Sequence, residues 1–144
     1  MKIHKLMPHS EKGQGLVEFA VGATVLLILL VGVMDLGRAL FTFIALRDAA
    51  QEGATYGSLY PDQTSAIETR ARGTSHSPVD LSDPSKVQVQ IQVIGPACAG
   101  SAIQVDVIYP NFDLTTPLLA TIIGSDSIPI HARITDTILT PPCH

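Results

Sequence analysis

Between Pro8 and Pro61 the chain contains no proline, and from Phe19 to Met34 it contains no charged residue. The first absence leaves nothing in that stretch to break a helix, and the second leaves an apolar run that must be buried or placed in lipid. Cysteine occurs only at Cys98 and Cys143, far beyond the run, which excludes a lipoprotein signal. Basic residues are also scarce. Residues 39–144 hold five Lys/Arg against ten Asp/Glu, a balance of minus five and the wrong sign for a nucleic-acid footprint. The five histidines, His4, His9, His76, His131 and His144, never fall at ligand spacing, so neither a metal nor a cofactor is expected. Gly13-Gln14-Gly15 lacks the preceding strand and the third glycine of a dinucleotide fingerprint.

What is present begins with the apolar run itself. From Leu16 to Leu36 it would be about 31 Å long as a helix, against a hydrocarbon thickness of about 30 Å. It can span a membrane. A cleaved secretory signal would want small residues directly after the run, and Gly37-x-Ala39 supplies them poorly, behind a charged pair. Lys2, Lys5 and Lys12 outweigh Glu11 ahead of the run. That bias predicts a cytoplasmic N-terminus and an extracytoplasmic remainder. At 144 residues the chain allows one domain, with roughly 100 residues left for a modest core once the span is set aside.

The missing prolines predict one helix over residues 14–60, its first half in the membrane at about 16–36. Its second half is amphipathic: Phe41, Ile44, Ala45, Ala49 and Tyr56 recur at helical spacing, while Arg47, Asp48, Gln51 and Glu52 cover other faces. Gly22, Ala23, Gly32 and Gly37 would let neighbouring helices approach closely, although glycine is also simply common in membrane helices. Asp35 and Arg38 are spaced to pair on one helix face near the outer membrane surface. Such a pair either fixes the depth of the helix or makes a subunit contact. Glu18 is an acid one turn inside the run, which is costly in lipid. It either snorkels to the headgroups or meets a cation there.

Beyond Pro61 the pattern changes. Ser65-Ala66-Ile67-Glu68 reads as a capping box opening a short helix that ends near Gly73, and residues 73–86 read as a loop. Three alternating segments follow: Val87, Val89, Ile91 and Val93; Ile103, Val105, Val107 and Tyr109; Ile128, Ile130, Ala132 and Ile134. Each predicts a half-buried strand. Together they predict an α+β fold, a long N-terminal helix packed on a small antiparallel sheet of about three strands. Two cysteines outside the cytoplasm favour a disulfide, and an antiparallel third strand would return Cys143 to the turn that holds Cys98. Free thiols are the alternative. His131 and Asp106 are the one acid–imidazole pair to weigh, and they read more naturally as a cross-strand surface pair than as a catalytic dyad. No enzyme is expected.

Three segments at the N-terminal end carry a resemblance: Gly15-Leu16-Val17-Glu18-Phe19-Ala20, then Asp35-Leu36-Gly37-Arg38, then Asp48-Ala49-Ala50-Gln51-Glu52-Gly53-Ala54. They are similar to the N-terminal signature of TadE-like pseudopilins, minor subunits of tight-adherence (type IVb) pili. Val105-Asp106-Val107-Ile108-Tyr109-Pro110 and Leu114-Thr115-Thr116-Pro117-Leu118 resemble that family's later "Y-P" and "L-T-P-L" segment. The spacing from Gly13 to Glu18, behind a basic leader, resembles a prepilin peptidase site. The resemblance implies a leader over 1–13, cleavage between Gly13 and Gln14, and a glutamate at position five of the trimmed chain pairing with a neighbour's new amine. It further implies an extracytoplasmic α+β domain over 61–144, a surface pilus and its adhesion. The partners would be other pilin or pseudopilin subunits, the peptidase and an inner-membrane assembly platform. The rival expectation is an unprocessed, signal-anchored binding or adhesion domain that belongs to no filament.

Overall fold

The structure, a computed structural model, describes residues 12–75 and 77–143. Most of the expected leader, with His4, His9, His76 and His144, lies outside the described residues. The proline-free stretch forms a single helix, α1 (Lys12–Leu59), about 72 Å long. It stops two residues before Pro61. Its last turn is closed by the C-terminal tail: Leu139 N–H donates to the Ser58 carbonyl at 2.8 Å, and the Thr140 hydroxyl donates to the Leu59 carbonyl at 2.6 Å. Carbonyls that a helix end leaves without partners are thereby satisfied by the other end of the chain.

A turn after Pro61 leads into α2 (Thr64–Arg72). The expected capping box does not form. Gln63 is the N-cap, without a side-chain bond, and its carbonyl accepts the Ala66 and Ile67 amides at 3.0 Å. Because the helix starts straight from the turn, Ser65 already lies inside it and Glu68 is free to pair with Arg72 at 2.8 Å. Arg72 also donates to the Leu81 and Val87 carbonyls at 3.0 and 3.1 Å, which pins the middle and the far end of the loop before the sheet. In that loop Ser85 donates to Asp83 from its hydroxyl and its amide, holding the Asp83 carboxyl below its ordinary value.

The sheet has the antiparallel order β1 (Gln88–Ile94), β2 (Ala102–Asp113), β3 (Ser127–Thr137). Register aligns the apolar sets: Ile91 faces Val105, which faces Ile134, and Val89 faces Val107, which faces Ala132. All three strands therefore present one apolar face. β2 runs beyond its expected end at Tyr109, because the ladder slips between Tyr109 and Phe112 and so passes Pro110, which has no amide to donate. The connection from β2 to β3 contains a short helix, α3 (Pro117–Ile123), that the apolar alternation did not announce.

Helix and sheet meet through small residues. The buried side of α1 runs through Thr42, Ala45, Leu46, Ala49, Ala50, Gly53, Ala54, Gly57 and Ser58. A Cβ at Gly57 would stand 2.5 Å from Ile103 Cδ1, and one at Gly53 would stand 3.3 Å from Val105 Cγ1. The sheet's branched side chains thus lie almost on the helix backbone. This corrects the expected amphipathic stripe. Phe41 and Ile44 are exposed, Tyr56 sits at the margin, and Leu46, absent from the expected set, is fully buried. Size decides the buried side here, since bulky residues would hold the sheet away from the helix.

Cys98 and Cys143 are joined in a disulfide, their Cα atoms 5.1 Å apart. The Ala99 amide donates to the Pro141 carbonyl at 2.7 Å, and the Gly100 amide to the Ile138 carbonyl at 2.9 Å, so the β1–β2 turn and the tail are bound twice over. With 45 residues between the cysteines, losing the bond is expected to lower unfolding free energy by about 2–4 kcal/mol. Thermal melts of the full chain in detergent, with and without reductant, measure this. An unchanged midpoint would contradict it.

Candidate functional site

From Gly13 to Met34, α1 has no buried residue among the described ones. Leu16, Val17, Phe19, Val21 and the residues from Val25 to Met34 apart from Gly32 are all exposed, and this is the described helix that is long and apolar enough to cross a membrane. Glu18 sits on this bare stretch and accepts a 3.4 Å hydrogen bond from the Gln14 side chain one turn below. Gly22, Gly32 and Gly37 have open space where a Cβ would stand, so no contact inside the chain requires them to be glycine. The side chains with no internal function are those a membrane or another helix would meet.

One residue at the top of this stretch behaves differently. Asp35 is 2% exposed, on the same side of α1 as Thr42 and Leu46, about two turns before Thr42. Its carboxylate is covered by the residues just before α3. The Thr116 amide donates at 2.8 Å and the Thr116 hydroxyl at 2.5 Å to Oδ2, and the Thr115 amide donates at 3.2 Å to Oδ1. Arg38 is 3.3 Å from the same Oδ1, half-exposed, with its guanidinium over the Phe112 ring at 5.3 Å and a hydrogen bond to the Thr115 hydroxyl. The local sequence explains the arrangement. Thr116 is extended ahead of Pro117, as residues before proline prefer, and outside the ladder the Thr115 and Thr116 amides are free for an acceptor. A buried carboxylate with several donors is the way such a charge is tolerated.

The expected Asp35–Arg38 pair is thus a minor part of a larger node, one that clamps the β2–α3 corner to the helix. The threonines were missed because they lie 80 and 81 residues from Asp35 in sequence. The available signal was an acid at a membrane edge together with a Thr-Thr-Pro run.

On the opposite side of α1, Leu40, Phe41, Phe43 and Ile44 are exposed above Arg38. The bulky apolar surface therefore continues about two turns past the end of the span at Leu36. On the wet face of the sheet, Asp106 lies opposite Arg133 rather than His131, which faces Ile108. Arg133 grips Asp106 Oδ2 at 3.0 and 2.6 Å, while His131 stays 3.8 Å from Oδ1, too far for a hydrogen bond. The residues weighed as an acid–imidazole dyad are not brought together as one. Among the described residues no group of three His, Cys, Asp or Glu side chains is arranged to hold a metal ion.

The node makes a graded prediction. Asp35→Ala is expected to cost about 2–4 kcal/mol, since it strands buried donors. Arg38→Ala should cost under about 1 kcal/mol, as an exposed partner of an ion pair. Hydrogen exchange at the Thr115 and Thr116 amides, measured in detergent, should speed up in the first variant and barely change in the second. Equal protection in Asp35→Ala and the parent chain would refute the clamp.

No curated protein and no solved structure matches the chain. A family model does: that of the TadE-like proteins matches residues 13–55. The match takes in Glu18, Asp35, Arg38 and the small residues through Ala54, whereas the Tyr109-Pro110 and Leu114–Leu118 segments lie outside it. The Asp35 clamp links the two, tying a residue of the matched helix to the later segment. Over residues 13–55, nearly the whole of its long helix, the chain matches the model of the TadE-like family.

Proposed function

We propose that the chain is a minor pilin or pseudopilin, a structural subunit or assembly factor of a tight-adherence pilus, and not an enzyme. The TadE-like match supports a pilus-associated, minor-pilin-like protein. The observation that carries the finer reading is the bulky apolar side of α1, exposed without a break in kind from Leu16 to Ile44. At about 43 Å it is longer than a bilayer's hydrocarbon core, and its upper part sits beside a folded domain, where lipid does not reach. A surface of that length is covered by other helices. Pilin and pseudopilin subunits are the partners, and an inner-membrane assembly platform is where they meet.

On this reading a prepilin peptidase cuts between Gly13 and Gln14, and Gln14 becomes the first residue. Glu18 is then the fifth, one helical turn from the new amine, and free to neutralise the amine of an incoming subunit. The N-terminus starts in the cytoplasm and the sheet domain stands outside. The signal-anchored binding domain is the competing account, and it needs neither cleavage nor Glu18.

Two results test this. The N-terminal residue and mass of the protein, taken from membranes with and without active prepilin peptidase, should show a chain beginning at Gln14 only when the peptidase is active. Met1 retained under both conditions supports the anchored-domain account instead. Ile44→Asp should leave the melt within about 0.5 kcal/mol of the parent, as an exposed substitution does, yet reduce pilus formation by an order of magnitude. Normal piliation in that variant would contradict the helix-packing role.

A further inference from the structure

The connection between β2 and β3 leaves the sheet at Asp113 and returns at Ser127, and its neck is closed by the Leu114 amide donating to the Asp126 carbonyl at 3.0 Å. What lies between is unlike the rest of the sheet domain. Pro117 to Ile123 contains no charged residue, and its carboxylates stand only at the neck, at Asp113 and Asp126. α3 forms there, ended by Gly124 in the left-handed conformation with its amide bonded to the Ala120 carbonyl at 2.8 Å. Ile122 is 73% exposed and Ile123 is 51% exposed. Two adjacent isoleucines left this open form an apolar surface that something outside the described fold would cover.

Its height identifies the partner. The residue before α3, Thr116, is bonded through its amide and hydroxyl to Asp35, so α3 starts level with the last turn of the span, Leu16–Leu36. A helix of seven residues is about 10 Å long. The headgroup zone on each side of a bilayer is about 5–8 Å deep. Running along or toward the membrane from that corner, α3 keeps Ile122 and Ile123 within or against that zone. Val33, Met34 and Leu36, at the top of the span, are likewise exposed and apolar.

We propose that α3 is an interfacial anchor, inserted through Ile122 and Ile123 into the leaflet on the sheet-domain side of the membrane that α1 spans. The inference rests on α1 being a membrane span, but on no particular filament partner. Two attachments then hold the domain, α1 through the bilayer and α3 beside it, with the Asp35 clamp as the rigid strut between them. A domain held at two points cannot swivel about its helix. The outward apolar side of α1 at Phe41 and Ile44 is therefore kept at a fixed orientation to the membrane plane. Lifting the subunit from the bilayer requires α3 to leave the lipid as well.

The test uses the full chain with its disulfide intact, reconstituted at high lipid-to-protein ratio in phosphatidylcholine/phosphatidylglycerol vesicles. Single Ile122→Cys and, as a second position, Ile123→Cys variants carry an environment-sensitive fluorophore. Val33→Cys reports the span and Thr135→Cys the wet face of the sheet. The α3 probes should be quenched by lipids with a shallow nitroxide at least threefold more than the Thr135 probe, and be shielded from aqueous iodide. Quenching of the α3 probes equal to that at Thr135, while Val33 is lipid-quenched, overturns the anchor and leaves the span standing. Failure at Val33 as well overturns both. Shielding without lipid quenching, appearing only when protein is crowded in the vesicle, assigns α3 to a second copy of the chain and likewise overturns the proposal.

Discussion

The closest approach in the molecule is between the backbone of α1 and the sheet, where Gly53 and Gly57 leave room for Val105 and Ile103. The rest of the architecture depends on it. A helix that meets a sheet through glycine and alanine gains contact by proximity, since its own side chains contribute little area. The sheet supplies the volume with Ile103, Val105, Val107 and Ala132, and α2 supplies Ile67 from the side. Two further ties keep that contact in register. The disulfided tail bonds to the last carbonyls of α1 at one end, and the Asp35 carboxylate binds Thr115 and Thr116 at the other. The domain is thus held along α1 from Asp35 to Leu59.

The corollary is that α1 has two apolar sides of different kind. Small residues face the sheet, and bulky ones, from Leu16 to Ile44, face away from it. A soluble protein would not keep the second side bare, because contiguous apolar surface of that extent is ordinarily covered. Lower down, lipid is an adequate cover. Higher up, beside the sheet, only another protein surface is. The molecule therefore combines a packed domain with a helix whose bulky side is left bare, the feature on which the proposed subunit role rests.

How much of this was legible in the sequence depended on the range of the interaction that decided it. Alternation of Val and Ile with Gln announced β1, and the same period announced β2 and β3, because a half-buried strand writes its environment into every second residue. The buried side of α1 was misread, since hydropathy ranks Phe41 and Ile44 above Ala50 and Gly57 while packing distance ranks them the other way. Asp35 drew attention through Arg38, a partner three residues away, and its stronger partners were out of sight until the β2–α3 corner was folded against it. α3 spans too few residues to show a period. Asp106 stands directly opposite Arg133, and His131, two residues away on the same strand, is only its diagonal neighbour. Strand alternation was read correctly, the local capping box at Ser65 was not because the helix starts earlier, and the other failures fell where a distant segment completed the environment.

The measurement that tests the account most directly is photo-crosslinking from position 41 in cells that make the pilus, with Phe41 replaced by p-benzoylphenylalanine and the same replacement at Thr135 as the reference. Phe41 lies on the bulky side of α1 above the span, and Thr135 lies on the wet face of the sheet. The account predicts protein adducts from position 41 that contain pilin-like subunits, and far fewer from position 135. Lipid adducts alone from position 41, with no protein partner, would contradict it and leave a membrane-anchored domain with no place in a filament.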